Sequence, residues 1–359
     1  MNMKIIIKIL LLIVLIVSSI FVITRSSNSE IKIGVITPLT EGAAYWGEST
    51  LVGIKMAEKE LLTEGIKVQF IYEDGQLDPG VALNAAQKLV NIDHVSIIYS
   101  EFNPASIAVS SFLENKNVFH LYDSAAMSPL SKGPYNFKTY LDYQDSCADV
   151  SKYIKENRGI KRVGVLKMNI EHGELCLKGI QDVFGLENVF VESYNPGITD
   201  YRSLINKIKN KNIDAIFHAS FQPETLASLR QLDELGINAL FIGLAETITP
   251  DVAKEYSNLI MDDIFFGLPM IENDLVQRID VANGDKSVAD YNAAALGYLH
   301  MLQLGRALDN CNQDNECIAE YLLKSDPVES VGFRGFKDRV AKFDNRIVQF
   351  TKDNFVEVK

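Results

Sequence analysis

The stretch Ile31–Ala57, IKIGVITPLTEGAAYWGESTLVGIKMA, decides how the rest of the chain is organised. Its first residues, Ile31–Ile36, are typical of a short buried strand, and a turn rich in Gly, Thr and Pro follows. The next apolar residues, from Leu51 to Leu61, fall at helical spacing. Strand, loop and helix in this order begin a doubly wound α/β domain, in which ligands bind beyond the carboxyl ends of the strands.

The only tryptophan of the chain, Trp46, lies in this predicted first loop between Tyr45 and Gly47. An aromatic pair at this place either forms a wall over a ligand or packs the loop against its own domain. We favour the ligand wall.

The bulk composition indicates a globular protein of two lobes. The chain has 359 residues, of which 47% are hydrophobic and 23% are charged. Its formal net charge is −12, and no basic stripe is present that could follow a phosphate backbone. The sequence therefore argues against nucleic acid as a partner.

Residues 1–25 form a separate segment. Lys4 and Lys8 precede the apolar run Ile9–Ile23, which is the pattern of an export signal. The run is longer than a minimal signal core, and no clean small-x-small cleavage site lies near Thr24. An uncleaved anchor from Ile5 to Ile23 is therefore the alternative. Both alternatives place the folded part in the periplasm or on the outer face of the membrane.

The four cysteines agree with export. Cys311 and Cys317 flank a polar turn, DNCNQDNEC, and a local disulfide is expected between them. Cys147 and Cys176 each fall in the first turns of a predicted helix, and they pair only if those helices are neighbours.

Strands and helices alternate in both halves of the chain. The predicted strands are Ile31–Ile36, Lys67–Glu73, Val95–Ser100, Asn117–Tyr122, Phe137–Leu141, Arg162–Met168, Val189–Ser193, Ile213–His218, Ala239–Ile242 and Ile264–Leu268. This alternation predicts two doubly wound parallel-sheet lobes joined by a multi-strand hinge. The first lobe would hold residues 31–141 and about 270–330, and the second would hold residues 142–269 and about 331–359. The tail segments Val340–Phe343 and Arg346–Phe350 resemble a hairpin.

Catalytic and metal sites find little support in the sequence. It has no G-x-S-x-G elbow, no P-loop and no G-x-G-x-x-G after the first strand. The five histidines are scattered without metal-ligand spacing. We therefore expect a binding protein that is not an enzyme and that carries no cofactor or metal.

Four helix starts follow predicted strands directly: Asp78-Pro79, Asn103-Pro104, Gln222-Pro223 and Thr249-Pro250. In a parallel sheet such helix N-termini gather at the carboxyl edge of the strands. Each presents free backbone N–H groups and about half a positive charge. Several of them facing one cleft would bind a small anion such as a carboxylate.

Several motifs together resemble the branched-chain amino-acid-binding proteins, which are type I periplasmic binding proteins of ABC importers. They include the first strand and loop, YEDGQLDPGVALNAAQKLV, the SAAMSPL loop, EHGE, and FQPETLASLRQLDELGINALFIG. The likeness covers the chain from Ile31 to its end. It implies two lobes that close over a ligand, with the ligand's carboxylate on the first lobe and its ammonium on an acid of the second.

The resemblance also implies the site residues. The first-lobe candidates are Trp46, Ser100, Asn103, Ala125 and Ala126, and Asp123 stands beside the second carboxylate loop. The second-lobe candidates are His172, Phe221, Gln222 and Glu246. Glu246 is the expected counter-charge for an ammonium, and the alternative is an acid that faces solvent. For His172 the alternative to a ligand contact is a surface or capping residue.

Three positions depart from the family pattern. The usual run of small Ser and Thr residues is here Ser100-Glu101-Phe102-Asn103. Asp123 would oppose a bound carboxylate unless it is paired or turned away, and His172 stands where a tyrosine is frequent. These departures leave other amino acids, amides, ureas and small carboxylates open as ligands.

The leading functional hypothesis is a monomeric solute-binding protein that delivers a small polar metabolite to a membrane permease of the ABC type. The alternative is a sensory ectodomain anchored by Ile5–Ile23, whose closure is read by a partner protein. The fate of the N-terminal segment would distinguish a free protein from an anchored one.

Overall fold

The structure is a computed structural model that describes residues 31–40, 43–220, 222–248, 256–259, 262–267, 271–351 and 354–358. The predicted export signal or anchor in residues 1–25 lies outside the described residues. Among the described helices, none is long and apolar enough to cross a bilayer.

Two seven-stranded sheets form the framework. The first has the order β11-β12-β5-β4-β3-β1-β2 and the second the order β14-β13-β10-β9-β8-β6-β7. The strands of the first sheet are β1 (Ile31–Thr37), β2 (Val68–Asp74), β3 (Ile97–Glu101), β4 (Phe119–Asp123), β5 (Asn136–Lys138), β11 (Phe333–Lys337) and β12 (Val340–Phe343). Those of the second are β6 (Val163–Met168), β7 (Val189–Tyr194), β8 (Ala215–His218), β9 (Leu240–Leu244), β10 (Ile264–Gly267), β13 (Arg346–Thr351) and β14 (Asn354–Glu357).

Ten helices of the described residues pack on these sheets. They are α1 (Ala44–Thr63), α2 (Pro79–Asn91), α3 (Asn103–Leu113), α4 (Tyr143–Asn157), α5 (Glu171–Phe184), α6 (Arg202–Lys209), α7 (Gln222–Glu234), α8 (Asn273–Ala282), α9 (Tyr291–Cys311) and α10 (Asn315–Leu323). The two-lobe α/β fold expected from the alternating pattern is confirmed.

The chain passes between the two sheets three times. It leaves the first sheet after β5, returns to it between β10 and β11, and leaves it again between β12 and β13. Polar side chains tie the crossings together, since the Lys342 ammonium donates to Asp142 at 2.8 Å and to Asp145 at 2.7 Å. Asn345 accepts from the Ser146 hydroxyl at 2.7 Å.

The predicted C-terminal hairpin is wrong. Val340–Phe343 pairs with β11 and β5 in the first sheet, whereas Arg346–Thr351 pairs with β10 and β14 in the second. Asp344-Asn345 is therefore a crossing between the sheets, and its polar residues serve a hinge as well as they would serve a turn. The predicted return to the second lobe at about residue 331 is accordingly too early, because strands up to Phe343 belong to the first sheet.

Helices α1 and α9 pack closely over one face of the first sheet, and small residues allow this approach. A Cβ placed on Gly53 of α1 would lie 1.9 Å from the Ala294 carbonyl oxygen of α9. Gly297 of α9 approaches Thr50 in the same way, at 2.8 Å from its carbonyl oxygen. The contact is therefore backbone against backbone, and it carries the start of α1 onto the end of β1.

The expected disulfide and the pairing that the sequence left open are both present. Cys147 of α4 bonds to Cys176 of α5, so the two predicted helices are indeed neighbours. Cys311 bonds to Cys317, as expected, but the segment between them is not only a polar turn. Cys317 already lies in α10, whose first turn is capped by the Asp314 carboxylate accepting from the Cys317 N–H at 2.8 Å.

The α1–α9 contact gives a stability prediction. The substitution Gly53→Ala forces a methyl group against a backbone oxygen, and overpacking of this kind typically costs about 1–3 kcal/mol. We expect the free energy of unfolding to fall by that amount in chemical denaturation. Lys55→Ala, on the exposed face of the same helix, is the control and should change little. Equal stability of the two variants would contradict the close packing.

Candidate functional site

Polar residues from three neighbouring strands meet at the carboxyl edge of the first sheet. β1 ends at Thr37, β3 ends at Glu101 and β4 ends at Asp123, and the register pairs Glu101 directly with Asp123. Since the three strands are parallel neighbours, their last residues lie side by side. This is the edge where α/β folds of this kind bind ligands.

Glu101 is the centre of this cluster, and it is only 1% exposed. Its carboxylate accepts hydrogen bonds from the hydroxyls of Thr37, Thr50 and Tyr99 and from the indole N–H of Trp46. The distances are 2.8 Å to Thr50 Oγ1 and 3.1 Å to both Tyr99 Oη and Trp46 Nε1. Burial raises the pKa of Glu101, and the four donors oppose that rise. The carboxylate thereby ties β1, α1 and β3 together.

Trp46 lies in the first turn of α1 and not in a loop as predicted. Helix α1 begins at Ala44, two turns before Leu51, where the apolar spacing starts. The apolar spacing missed these turns because their inward-facing residues are mainly polar or aromatic. The indole is 9% exposed and meets the rings of Phe102 and Tyr140 edge-on at 5.9 and 6.2 Å. The ring is thus fixed by Glu101 on one side and reaches toward the first crossing between the sheets.

Ser100 points to the opposite face of β3 from Glu101. Its hydroxyl lies 2.8 Å from His120 Nε2 and 2.9 Å from Ser106 Oγ, and the residue is fully buried. These partners occupy the Ser100 hydroxyl between the sheet and α3. The structure therefore separates the side chain of Ser100 from the Glu101 cluster.

Asn103 connects the first-lobe loops. Its side-chain oxygen accepts a hydrogen bond from the Ala126 N–H at 3.1 Å, and both Ala125 and Ala126 are buried. Phe102, just before it, has φ of 65°, a backbone conformation that is strained for a residue other than glycine. The strained residue separates Glu101, which faces the core of the cluster, from Asn103 at the start of α3.

Asp123 is 4% exposed and adjoins Glu101. Its Oδ2 atom lies 3.2 Å from the Tyr99 hydroxyl, and its Oδ1 atom has no hydrogen-bond partner among the described residues. Burial, and next the charge of Glu101, raise the pKa of Asp123 well above its usual range. His120, three residues earlier, points to the other face with Ser100, as the alternation of β4 predicts.

Lys138 is a fully buried cation that the sequence analysis did not single out. Its ammonium donates to the Tyr140 carbonyl at 2.7 Å and to the Leu141 carbonyl, which belong to the first crossing between the sheets. Burial lowers the pKa of Lys138 to about 7. The positive charge near Asp123 and Asp142 partly offsets the acidity of this region.

On the second lobe, α5 begins at Glu171. The Glu171 carboxylate accepts from the backbone N–H groups of Met127 and Ser128 at 2.9 and 3.0 Å, and from the Ser128 hydroxyl at 3.1 Å. Ser128 begins a short 3₁₀ helix, Ser128–Lys132, that follows β4 of the first sheet. Glu171 therefore joins the facing edges of the two lobes.

His172 is the second residue of α5 and is 4% exposed. Its ring stacks on Tyr143, the first residue of α4, with ring centroids 5.1 Å apart. Burial lowers the pKa of His172 to about 4, so the imidazole is neutral at pH 7. Gln222 begins α7 directly after the strand–loop of β8, as predicted. Phe221 and the side chain of Glu246 lie outside the described part of the structure, although the Glu246 backbone follows β9 as expected.

The structure thus brings five of the predicted residues to the carboxyl edge of the first sheet: Trp46, Asn103, Asp123, Ala125 and Ala126. It places His172 against Tyr143 at the start of α4. Within the described ranges no group of His, Cys, Asp and Glu is arranged to hold a metal ion. The residues that the sequence analysis missed are Tyr99, Glu171 and Lys138, and it noted Glu101 only as a departure. The period-two pattern of IIYSE places Tyr99 and Glu101 on one face of β3 and was the available signal for both.

The Glu101 cluster gives a second stability prediction. Glu101→Leu keeps a similar volume but leaves the donors of Thr37, Thr50 and Trp46 buried without an acceptor. Each unpaired buried donor costs about 1–3 kcal/mol, so we expect the free energy of unfolding to fall by more than about 2 kcal/mol. Denaturation followed by the fluorescence of Trp46 measures both the loss and a change in the indole environment. Glu58→Leu, at an exposed position of α1, is the control, and a loss no larger than this control's would contradict the role of Glu101.

Comparisons with known proteins agree with the two-lobe fold. The family model described as periplasmic binding protein matches residues 30–352. A Leu/Ile/Val-binding protein from Citrobacter freundii is 25% identical over 317 residues, which cover 84% of this chain and 85% of that protein.

Solved structures show the same fold. A leucine-binding protein from Thermotoga maritima superposes with a TM-score of 0.78 at 19% identity, covering 92% of this chain and 98% of that one. An ABC transporter solute-binding protein from R. palustris in complex with 4-hydroxybenzoate has a TM-score of 0.75 at 18% identity and covers 92% and 96% of the two chains. Periplasmic binding proteins bind solutes and do not convert them, so the family match over residues 30–352 confirms the expectation of a binding protein rather than an enzyme. From the match over residues 30–352 we conclude that the chain belongs to the periplasmic binding protein family.

Proposed function

We propose that this protein captures a small polar metabolite, an amino acid or a related carboxylate or amide, by closure of its two lobes and delivers it to an ABC-type permease. The observation that carries the proposal is the contact between the two facing edges, where Glu171 of the second lobe binds Met127 and Ser128 of the first. We expect the ligand to bind beside this contact, between the Glu101 cluster and the starts of α5 and α7.

Closure requires a hinge and contacts that exist only in the closed form. Three connections between the sheets supply the hinge. Glu171 and the residues it binds belong to different lobes, so we expect an opening rotation to break these hydrogen bonds. A ligand that touches both lobes adds further contacts of this kind, and only such differential contacts shift the equilibrium toward closure.

The class of ligand is inferred from relatives and from chemistry. The curated relative from Citrobacter freundii is a Leu/Ile/Val-binding protein, whereas a protein of the same fold is solved with 4-hydroxybenzoate. The fold alone therefore does not select one ligand. Within this proposal Trp46, Asn103, Ala125 and Ala126 form the first-lobe wall. The second-lobe wall consists of His172, Phe221, Gln222 and Glu246, with Glu246 as the acceptor for an ammonium.

A membrane-anchored sensor is the second candidate, and the long, mainly apolar run Ile9–Ile23 favours it. In both cases we propose that the folded part lies outside the cytoplasm. Sequencing the mature N-terminus of the exported protein separates the two: an end between about Thr24 and Glu30 favours a free binding protein, and an intact segment favours anchoring.

The test of the main proposal is a thermal-shift screen of residues 31–359 against amino acids, amides, ureas and short carboxylates. A ligand at 100 times its Kd adds about 2.7 kcal/mol of stability, which is readily seen as a raised melting temperature. Binding of one such compound without its chemical conversion supports the proposal. No shift with any compound, or turnover of the bound one, would contradict it.

The contact between the lobes gives a separate prediction. Glu171→Ala removes three hydrogen bonds that only the closed form makes, so we expect a larger radius of gyration in small-angle scattering. Glu174→Ala is the matched control, because Glu174 is also an acid in the first turn of α5 but pairs with Lys167 of its own lobe. An unchanged radius in the Glu171 variant, or an equal increase in both variants, would show that the contact does not hold the lobes together.

A further inference from the structure

The Tyr99 hydroxyl sets the protonation of the two acids beside it. Its oxygen lies 3.1 Å from Glu101 Oε1 and 3.2 Å from Asp123 Oδ2. A phenol carries one hydrogen, so it donates to one carboxyl group and must accept from the other. The second contact is a hydrogen bond only if that other carboxyl group is itself protonated.

The remaining contacts decide which acid carries the proton. Glu101 accepts from Thr37, Thr50 and Trp46 in addition to Tyr99, and an ionised carboxylate is the form that accepts on both oxygens. Asp123 has no other donor among the described residues. Tyr99 would then donate a hydrogen bond to Glu101 and accept one from a protonated Asp123. In other proteins, two adjacent buried carboxyl groups likewise hold one proton between them, because ionising both is costly.

The surroundings of Asp123 agree with a neutral acid. Glu101 and Asp290 are the acids that face it, and both disfavour a second negative charge. Lys138 is the cation that faces it and acts in the opposite direction, but its ammonium is already bound to the carbonyls of Tyr140 and Leu141.

In this arrangement Oδ1 of Asp123 is the carbonyl oxygen of an uncharged acid, and it is buried without a partner. Other buried side-chain atoms of the described residues also lack a partner, Tyr122 Oη and Ser124 Oγ among them, and a ligand or water donor is the usual explanation of such an acceptor. The residue lies at the edge that faces the second lobe: Ala125 packs into the second lobe's apolar cluster, and Ser128 meets Glu171.

We propose that Asp123 is a neutral carboxylic acid, held so by the Asp123–Tyr99–Glu101 relay, and that its Oδ1 atom determines specificity by accepting a hydrogen bond from an N–H group of the solute. This rests on the proposed function, because it assumes that a solute enters between the lobes. It answers the expectation that Asp123 repels a carboxylate: the group is uncharged, and it selects for a nitrogen donor, either amide or ammonium.

The protonation state is tested without any ligand. Asp123→Asn has the shape of the neutral acid, with an amide N–H for Tyr99 and a carbonyl oxygen at Oδ1. A folded pKa above the unfolded value near 4 means that the contribution of Asp123 to stability falls as the pH rises from about 4 to 7, and the asparagine variant lacks this contribution. We therefore expect the variant to melt at a higher temperature than the wild type at pH 7, with the difference vanishing near pH 4.

An ionised Asp123 would give the opposite result, with the variant melting lower at pH 7 and recovering on acidification. That outcome would overturn the proposal. Asp309→Asn, on the exposed end of α9, is the control for removing a surface charge and should shift the melting temperature little at either pH.

The selection is tested with leucinamide, leucine and 4-methylpentanoate, which share one carbon skeleton, on the wild type, Asp123→Asn and Asp123→Leu. We expect Asp123→Leu to bind leucinamide and leucine, which carry N–H donors, about tenfold more weakly, which is the value of one hydrogen bond. Its affinity for 4-methylpentanoate should change little. Asp123→Asn should bind the three probes in the same order of affinity as the wild type. Proton release on binding, measured by calorimetry in two buffers, identifies an ammonium as the donor, because it favours ionised Asp123.

Two outcomes separate the failures. Binding to the wild type with equal affinity in Asp123→Leu would leave the proposed function intact and overturn the role of Oδ1, which would then hold only a water. Absence of binding by these probes and by the wider screen would contradict the proposed function and, with it, the selection by Asp123.

Discussion

The buried carboxylate of Glu101 is the interaction on which the first lobe depends. It binds donors from β1, α1 and β3 at the point where the strands end, and so it fixes the start of α1 against the sheet. A charge without water is tolerated there because each of its oxygens is satisfied by hydrogen bonds. Burial, and next the charge of Glu101, raise the pKa of the neighbouring Asp123 and so favour its neutral form.

The architecture could be read from the sequence because its signals are local. Short apolar runs separated by helical spacing predicted the strands from β1 to β10, and proline after a capping residue predicted the start of α2 at Pro79. The prediction of a C-terminal hairpin was wrong because it, too, used only local signals. Val340–Phe343 and Arg346–Phe350 look like the arms of a hairpin, and only long-range pairing with β5 and β10 shows that they belong to different sheets.

The candidate site was predicted less well, because it depends on which side chains meet and not on where strands end. The edge itself was predicted, together with Trp46, Asn103 and Asp123. The partners of Asp123 were not, since no local pattern says that Tyr99 will bridge it to Glu101. Ser100 shows the converse: a residue of the expected type at the expected position turns its hydroxyl to His120 on the other face.

The disulfide between Cys147 and Cys176 has a mechanical consequence. It joins α4, which begins where the chain leaves the first sheet, to α5, whose first residue is Glu171. Cross-linked neighbouring helices cannot slide along each other, so they move as one rigid unit. A rotation of α4 at the first crossing therefore moves α5 and the Glu171 carboxylate with it for as long as the disulfide stays oxidised.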